Sequence, residues 1–529
     1  MKFHNKIITM GVAAVATLSM ASCSDFLDEP SRTQLPEEKI YGNVETAETS
    51  LLALYKNWRD LWAGHNYYYL SDGTDEIQNG AFQALKEGGG KNGAIDRFDA
   101  LLTSDQEYVT NCWNWRWPKI SEAAKLINAL EPKVSEDDKA RQVWAEASFI
   151  RGSLLMDMTM IYGRIPIIDL GRIAELGTRR QDLTTVWTYV INDLTNAANN
   201  APEKNDPGRI SKYAGLMLLG YAYMAAPEET GLRDFAKAEQ CLKQVVEGPF
   251  SLVPYYDLFD YNTPNTSEAI FEFQFSTTWP DNHGNQFMVG SRAAASMGGD
   301  ACYFAGYDHA VPTEWAYSDV EDGGIWEEGD VRKEESIRYD FEWGGKNAED
   351  YIPGLEWEGL SPEDQDECKP HIKKYEDYRT DRYSGMGINN MWNAGKNIPW
   401  LRLGNAYLLY AECLNELGRT SEAVDWVNDV RSRAWEFDIP DEMLWKANMS
   451  KDEFREQLMT ERVRELFGER WRKFDLARTG KFYEYVKERN KWAKRSGTIQ
   501  PWHVVWPIPM SEIEQNLDID FSDQNEGYM

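Results

Sequence analysis

Apolar positions recur every three or four residues along much of the chain, which is the spacing of one face of an α-helix. The clearest run holds Val143, Ala147, Ile150, Leu154, Met158 and Ile161. Ser135 followed by Asp138 is a start signal for this helix, and Gly163 with Pro166 beyond it is a stop signal. The pattern therefore predicts a helix over residues 138–161.

Other stretches of the same pattern come in pairs. One apolar run covers residues 403–417 and ends at Gly418, and a second begins after Thr420 and reaches Val430. Because the turn between them is so tight, the two helices must pack antiparallel. The unit spans about 34 residues, the length of a tetratricopeptide repeat. A similar pair is predicted at 211–226 and 234–246.

Single amphipathic helices are predicted elsewhere along the chain. They lie at 46–61, 120–130 and 183–198. Ser450 and Glu453 form a capping box that starts a further helix reaching Phe467. The sequence therefore predicts an all-α dominated fold, built from tetratricopeptide-like helix pairs at 46–275 and 400–480.

Residues 276–399 differ in kind from the helical segments. They are rich in Gly, Asn and Asp, have no sustained helical period, and carry aromatic residues outside any helical stripe. Loops held on a rigid frame are the usual place for binding residues. We therefore interpret 276–399 as a large, irregular, loop-rich insert that carries a ligand site, and 481–529 as a C-terminal tail.

The N-terminus has the layout of a signal peptide. Lys2 and Lys6 precede an apolar run over residues 7–20, which leads to Cys23. The run is about 14 residues long, whereas a membrane-spanning helix needs roughly 20. We therefore expect residues 1–22 to be removed rather than kept as a transmembrane anchor.

Small residues stand directly before that cysteine. Ala21 and Ser22 ahead of Cys23 resemble the bacterial lipobox, in which the thiol is acylated and becomes the first residue. The acidic stretch 24–29, which holds Asp25, Asp28 and Glu29, resembles the tag that exports Bacteroidetes lipoproteins to the cell surface. An ordinary secretory signal with an incidental cysteine is the alternative. The sequence predicts a protein tethered through Cys23, with 23–45 as the tethered segment, and a membrane contact by the lipid anchor only.

Charge and motif content exclude several functions. The 56 basic and 87 acidic residues give a net charge of −31, which opposes binding to nucleic acid. The remaining cysteines are widely spaced, so no disulfide framework or zinc pattern is predicted, although a single Cys302–Cys368 bridge stays open. The six histidines are scattered, and the common hydrolase, metalloprotease and phosphate-loop motifs are missing from the sequence. We predict no cofactor, no metal and no catalysis.

Several segments carry distinctive motifs: residues 461–471 and 475–480, the closing Trp506-Pro507-Ile508-Pro509, and residues 524–528. Together they resemble the SusD/RagB family of Bacteroidetes outer-membrane nutrient-binding lipoproteins. The resemblance implies a superhelix of tetratricopeptide-like pairs that captures a glycan, or in some members a peptide. It also implies a lid-like position over a SusC-type TonB-dependent transporter at the outer-membrane surface.

Sugar recognition needs flat apolar side chains with polar groups at their edges. Two segments supply them, the early acidic and aromatic segment and the insert. The predicted glycan-binding residues are Tyr67, Tyr68, Tyr69, Asp72, Trp113 and Trp115 in the first segment, and Trp279, Asn282, Tyr303, Tyr307, Trp315, Trp326 and Trp343 in the second. Packing in the core is the competing interpretation for each ring.

Other functions stay open beside the glycan carrier. Asp72 and Glu76 could serve as the two carboxylates of a helical glycoside hydrolase. A peptide-binding member of the same family and a purely structural scaffold are further alternatives. The charged run over 461–480 is interpreted as a salt-bridged structural helix, because Glu461 and Glu465 lie four residues apart on one helix face.

Overall fold

The computed structural model describes residues 40–64, 68–290, 306–338, 370–377, 379 and 393–528. Helices dominate these residues. The longer helices are α1 Val44–Arg59, α2 Glu107–Leu130, α3 Asp138–Tyr162, α4 Leu183–Asn200, α5 Lys212–Ala225, α6 Phe235–Val246, α7 Leu403–Glu416, α8 Thr420–Ala434 and α9 Lys451–Leu466. Shorter helices follow in the C-terminal part: α10 Arg472–Arg478, α11 Phe482–Arg489, α12 Lys491–Ser496 and α13 Met510–Gln515.

The long helices pack in series. Helix α2 packs on α3, α3 on α4, α4 on α5, α5 on α6, α6 on α7, and α7 on both α8 and α9. Each apolar face is thereby buried against the next helix, which is the arrangement of a helical repeat array. The predicted all-α, tetratricopeptide-like frame is confirmed.

Most predicted helix ends agree with the structure, and the capping residues explain the differences. Asp137, rather than Ser135, caps α3 by accepting hydrogen bonds from the N–H groups of Lys139 and Ala140. The capping box of Ser450 and Glu453 is present at the start of α9. Helix α2 is the main correction, because it begins at Glu107 and not at residue 120.

Three short antiparallel ladders complete the regular structure of the described residues. They pair β1 Ile77–Gln78 with β3 Val311–Pro312, β2 Ala269–Phe273 with β6 Ile398–Arg402, and β4 Ile337–Arg338 with β5 His371–Ile372. In the β2–β6 ladder Phe273 faces Ile398 and Ala269 faces Arg402. The insert therefore leaves the helical frame and returns to it at the same ladder.

An aromatic cluster fixes this ladder to the frame. The Trp58 ring of α1 lies 4.8 Å from Phe273 and 5.5 Å from Trp400, and it also meets Phe149 of α3 edge-on at 6.0 Å. All four side chains are buried. Aromatic pairs at these distances add about 0.5–1.5 kcal/mol each beyond the area they bury. The base of the insert is thus rigidly held.

Buried ion pairs confirm the structural interpretation of the charged run. The Glu465 carboxylate accepts hydrogen bonds from Arg402 and Arg433, and Arg332 approaches it at 3.1 Å. All four side chains are fully buried. Burial raises the pKa of Glu465, but the three arginines outweigh it and hold the pKa well below its usual range. The partners come from the insert and from β6 and α8, so this run joins distant segments rather than only its own helix face.

Candidate functional site

The two segments predicted to bind a ligand meet in the structure. Strand β1 of the early segment pairs with β3 of the insert. Beyond the ladder the Gly80 N–H donates to the Asp308 carbonyl at 2.9 Å, and Gln83 Nε2 donates to the Tyr307 carbonyl at 2.9 Å. A Cβ on Gly80 would lie only 2.3 Å from that of Asp308, so only glycine permits this close approach.

Four of the predicted rings belong to the core. Tyr68, Tyr69, Trp113 and Trp326 are each at most 2% exposed. Tyr69 stacks on Tyr108 at 3.7 Å, and the polar atoms of the other three have protein partners: Asn285 for Tyr68, Glu512 for Trp113 and Ala316 for Trp326. They have no face left for a ligand, so the core interpretation replaces the binding one for these rings.

Asp72 is also buried, in a group of carboxyls beneath the surface. It is fully buried and accepts a hydrogen bond from Asn79 Nδ2 at 2.7 Å. Burial and the neighbouring Asp96 raise its pKa well above its usual range. Burial likewise raises the pKa of Glu76 to about 8. These carboxyls act inside the fold, and neither Asp72 nor Glu76 faces solvent as a hydrolytic pair would.

The remaining predicted residues keep some exposed surface. Trp279 is 81% exposed and Tyr307 is 38% exposed. Trp115 is half-buried and stacks on Tyr69 at 5.7 Å, and half-buried Asn282 donates to Asn393 at 2.5 Å. Cys23, Tyr67, Tyr303 and Trp343, and the open Cys302–Cys368 pair, lie outside the described residues.

Trp315 lines a cleft of the described residues, which we call the Trp315 cleft. Its volume is about 600 Å³, and its lining residues include Gln78, Glu314, Trp315, Tyr317, Pro370, Arg489 and Lys494. They come from β1, from the insert and from α11 and α12. Three distant parts of the sequence therefore build one cavity, of a size that suits one or two sugar rings or a comparable small ligand.

The floor of the Trp315 cleft is an ordered stack of rings and guanidinium groups. Arg489 Cζ lies 4.0 Å from the Trp315 ring centre and 3.9 Å from that of Tyr485. Arg489 also donates to Asp75 Oδ2 at 2.9 Å. Arg472 binds the same carboxylate through two hydrogen bonds of 2.6 Å. Arg489 therefore packs on the half-buried Trp315 indole and is itself held by Asp75.

Electrostatics at Asp75 favour its ionised form. Burial alone raises the pKa of Asp75, but Arg472 and Arg489 outweigh it and hold the pKa below its usual value. One carboxylate thus faces two guanidinium groups, which leaves an excess positive charge under Trp315.

Sequence reasoning missed the basic side of this cleft. Arg489, Lys491, Lys494 and Arg495 fall within seven residues of a strongly acidic chain. That local reversal of charge was the available signal. The C-terminal tail therefore contributes to the site instead of only closing the fold.

Neither a cluster of metal ligands nor a membrane-spanning helix occurs among the described residues. There, no three His, Cys, Asp or Glu side chains come together in a group able to hold a metal ion. Across the same residues no helix combines the length and apolarity needed to cross a membrane.

Comparison with known proteins assigns the family. A model of the SusD family matches residues 267–528, and a second family model, described as starch-binding associating with outer membrane, matches residues 25–224. This chain belongs to the SusD family. The two matches leave out residues 225–266 between them and together cover most of this chain.

Relatives agree with this assignment over the full length. SusD-like protein P25 of Formosa agariphila is 26% identical and is aligned over 99% of this chain and 100% of its own length. Starch-binding protein SusD of Bacteroides thetaiotaomicron is 26% identical over 65% of this chain and 66% of its own length. A solved structure titled laminarin binding SusD-like protein has the same fold, with a TM-score of 0.70, 22% identity, and coverage of 92% of this chain and 99% of its own.

Proposed function

We propose that this SusD-family protein is a glycan-binding lipoprotein of the outer-membrane surface, which captures oligosaccharide and delivers it to a SusC-type TonB-dependent transporter. The observation that carries the proposal is the Trp315 cleft, where a half-buried indole is fixed on the guanidinium of Arg489 and bordered by polar side chains. The starch-binding and laminarin-binding relatives support the same ligand class.

The chemistry of the Trp315 cleft suits a sugar. A pyranose ring presents C–H groups to a flat aromatic surface, while its hydroxyls need donors and acceptors at the edge of that surface. Around Trp315 such groups come from Glu314 and Lys494, which are exposed. Partial coverage of one ring at about 25 cal/mol per Å² contributes about 1–3 kcal/mol. Two or three such contacts give an affinity of roughly micromolar to millimolar, which suits a carrier that must release its ligand.

Replacement of Trp315 tests the binding site. We expect Trp315→Ala to weaken retention in affinity gels about fivefold or more, as the loss of about 1–3 kcal/mol requires. The matched control is Phe521→Ala, which removes an aromatic side chain that is 63% exposed and stands outside the Trp315 cleft. If Trp315→Ala binds glycan as well as the wild type and the Phe521→Ala control, the cleft is not the site.

Trp279 is tested separately, because it does not line the Trp315 cleft. At 81% exposure its indole contributes little to the core, so Trp279→Ala should keep the melting temperature of the wild type. Weaker glycan retention in this variant would indicate a second platform, whereas unchanged retention would remove Trp279 from the proposed binding residues.

Two experiments address the anchor and the transporter. Cys23→Ala should move the protein from the membrane to the soluble fraction with its glycan binding unchanged, and persistence in the membrane would contradict lipidation at Cys23.

The tagged wild-type protein should co-purify with a TonB-dependent transporter from the native membrane. Purification without any such transporter would contradict the delivery role.

The proposed role is that of a carrier without catalytic activity. Burial of Asp72 and Glu76 argues against the hydrolase alternative that uses this pair. Incubation with a panel of polysaccharides should release no new reducing ends, and their appearance would overturn the carrier-only role. Retention of peptides, with no retention of any glycan, would instead favour the peptide-binding alternative.

A further inference from the structure

The Trp315 cleft concentrates positive charge on one side. Its lining includes Arg489, Lys491, Lys494 and Arg495, against the carboxylates of Glu314, Asp322 and Glu488. Lys494 and Arg495 are exposed, and within the described part of the chain no carboxylate forms an ion pair with either of them. The chain as a whole has a net charge of −31, so this cleft departs from the charge of its surroundings.

The floor keeps this excess of positive charge, because the Arg472 and Asp75 that it adds carry opposite charges. Asp75 is the carboxylate that binds Arg489, and Arg472 already engages both of its oxygens. Glu76 lies next to Asp75 but is buried, and burial raises its pKa to about 8, which favours its neutral form at pH 7. One negative charge therefore faces two guanidinium groups beneath the Trp315 ring.

The geometry of Arg489 is suited to an oxyanion. Its guanidinium is held between the rings of Trp315 and Tyr485 at about 4 Å from each ring centre, and a quarter of its side chain is exposed. A guanidinium donates several N–H groups in one plane, which matches the oxygens of a carboxylate or a sulfate. Because the rings fix that plane in advance, little conformational entropy is lost on binding.

We infer that the Trp315 cleft binds a sugar unit bearing an anionic group, a carboxylate or a sulfate, with the sugar ring against Trp315 and the oxyanion towards Arg489, Lys494 and Arg495. This inference rests on the proposed glycan-binding function and names the substrate class for that same cleft. It also accounts for a basic cluster in a protein whose overall charge repels polyanions.

Matched polymers test the charge requirement. The purified full-length protein is run in affinity gels containing dextran or dextran sulfate, and polygalacturonic acid or its methyl-esterified form. Each pair differs in charge on a common backbone. We expect retardation by at least one acidic polymer, little retardation by its neutral partner, and weaker retardation as salt screens the attraction.

Charge reversal tests the location. Lys494→Glu with Arg495→Glu should weaken retention by the acidic polymer about tenfold or more, since each like charge in the cleft now repels the ligand. The control is Lys56→Glu with Lys204→Glu, two exposed lysines outside the cleft, which changes the net charge of the protein equally. All four side chains are exposed, so both double variants are expected to fold, and their melting temperatures check this.

Each outcome decides the inference. Acidic-polymer retention that depends on Lys494 and Arg495, and not on the control pair, supports it. Equal loss in both double variants would show a general charge effect and overturn it. Retention by neutral polymers only would overturn the anionic class and leave the proposed glycan binding intact. Retention by no polymer at all would overturn both.

Discussion

Asp75→Asn tests how much the buried ion pairs beneath the Trp315 cleft contribute to the stability of the fold. Asp75 is fully buried and accepts three charge-assisted hydrogen bonds, two of 2.6 Å from Arg472 and one of 2.9 Å from Arg489. Asparagine keeps the shape but removes the charge and replaces one acceptor oxygen by an NH₂ group. Two guanidinium groups then face each other without a carboxylate between them.

The expected loss follows from breaking a buried ion pair, which costs about 3–5 kcal/mol. Unfolding entropy near 60 °C is about 2.1 cal/mol/K per residue, or roughly 1 kcal/mol/K for this chain. The melting temperature should therefore fall by about 3–5 °C. The effect should shrink as the pH falls below about 4, because the pKa of Asp75 is depressed in the folded state and its stabilisation is lost on protonation.

Differential scanning fluorimetry at pH 7 and pH 3.5 measures both effects. Glu422→Gln is the control, since it breaks an exposed pair with Arg419 and should leave the melting temperature unchanged. Adding Arg472→Met to Asp75→Asn should restore part of the lost stability, because it removes an uncompensated buried charge. A melting temperature of Asp75→Asn equal to that of the wild type would refute this reasoning.

Three further predictions concern nearby elements. Burial raises the pKa of Glu76 to about 8, so the wild type should lose stability as the pH rises from about 4.5 to about 8. Glu76→Gln cannot ionise and should not show this loss; parallel melting profiles of the two proteins from pH 5 to 9 would contradict this. Ser450→Ala should cost about 1 kcal/mol by removing the cap that accepts from Glu453 N–H, and an unchanged denaturation midpoint would argue against it. Gly80→Ala should cost about 1–3 kcal/mol through its clash with Asp308 and loosen the contact between the early segment and the insert, so a variant as stable as the wild type would disprove the close approach.

Helix periodicity was enough to predict the frame, because apolar residues recur every three or four positions along the long helices, although α3, α5 and α7 are buried on nearly all sides. Helix α2 is the exception, because its first half, which holds Trp113 and Trp115, was interpreted as part of a binding segment. Pro118 stands inside the helix. Both Pro118 and Asn114, whose carbonyl lacks its usual partner, are exposed, so water can satisfy that carbonyl.

Burial of individual rings could not be predicted, since their partners are remote in sequence. Trp113 donates to Glu512, which is 399 positions away, and Tyr68 donates to the Asn285 carbonyl, which is 217 positions away. Composition identifies both aromatics and acids in the early segment. It does not indicate which of them the insert and the tail will cover.

The Trp315 cleft illustrates why the tail matters for function. Trp315 comes from the insert, Asp75 from the early segment, and Arg489 from the end of α11. The three residues form the cleft together: the Arg489 guanidinium packs on the Trp315 indole, and the Asp75 carboxylate binds that guanidinium. Because Arg472 already occupies that carboxylate, Arg489 retains hydrogen-bonding capacity that is partly exposed to the cleft. The same contact that fixes the tail to the frame thereby supplies the charge on which the proposed preference for an anionic sugar depends.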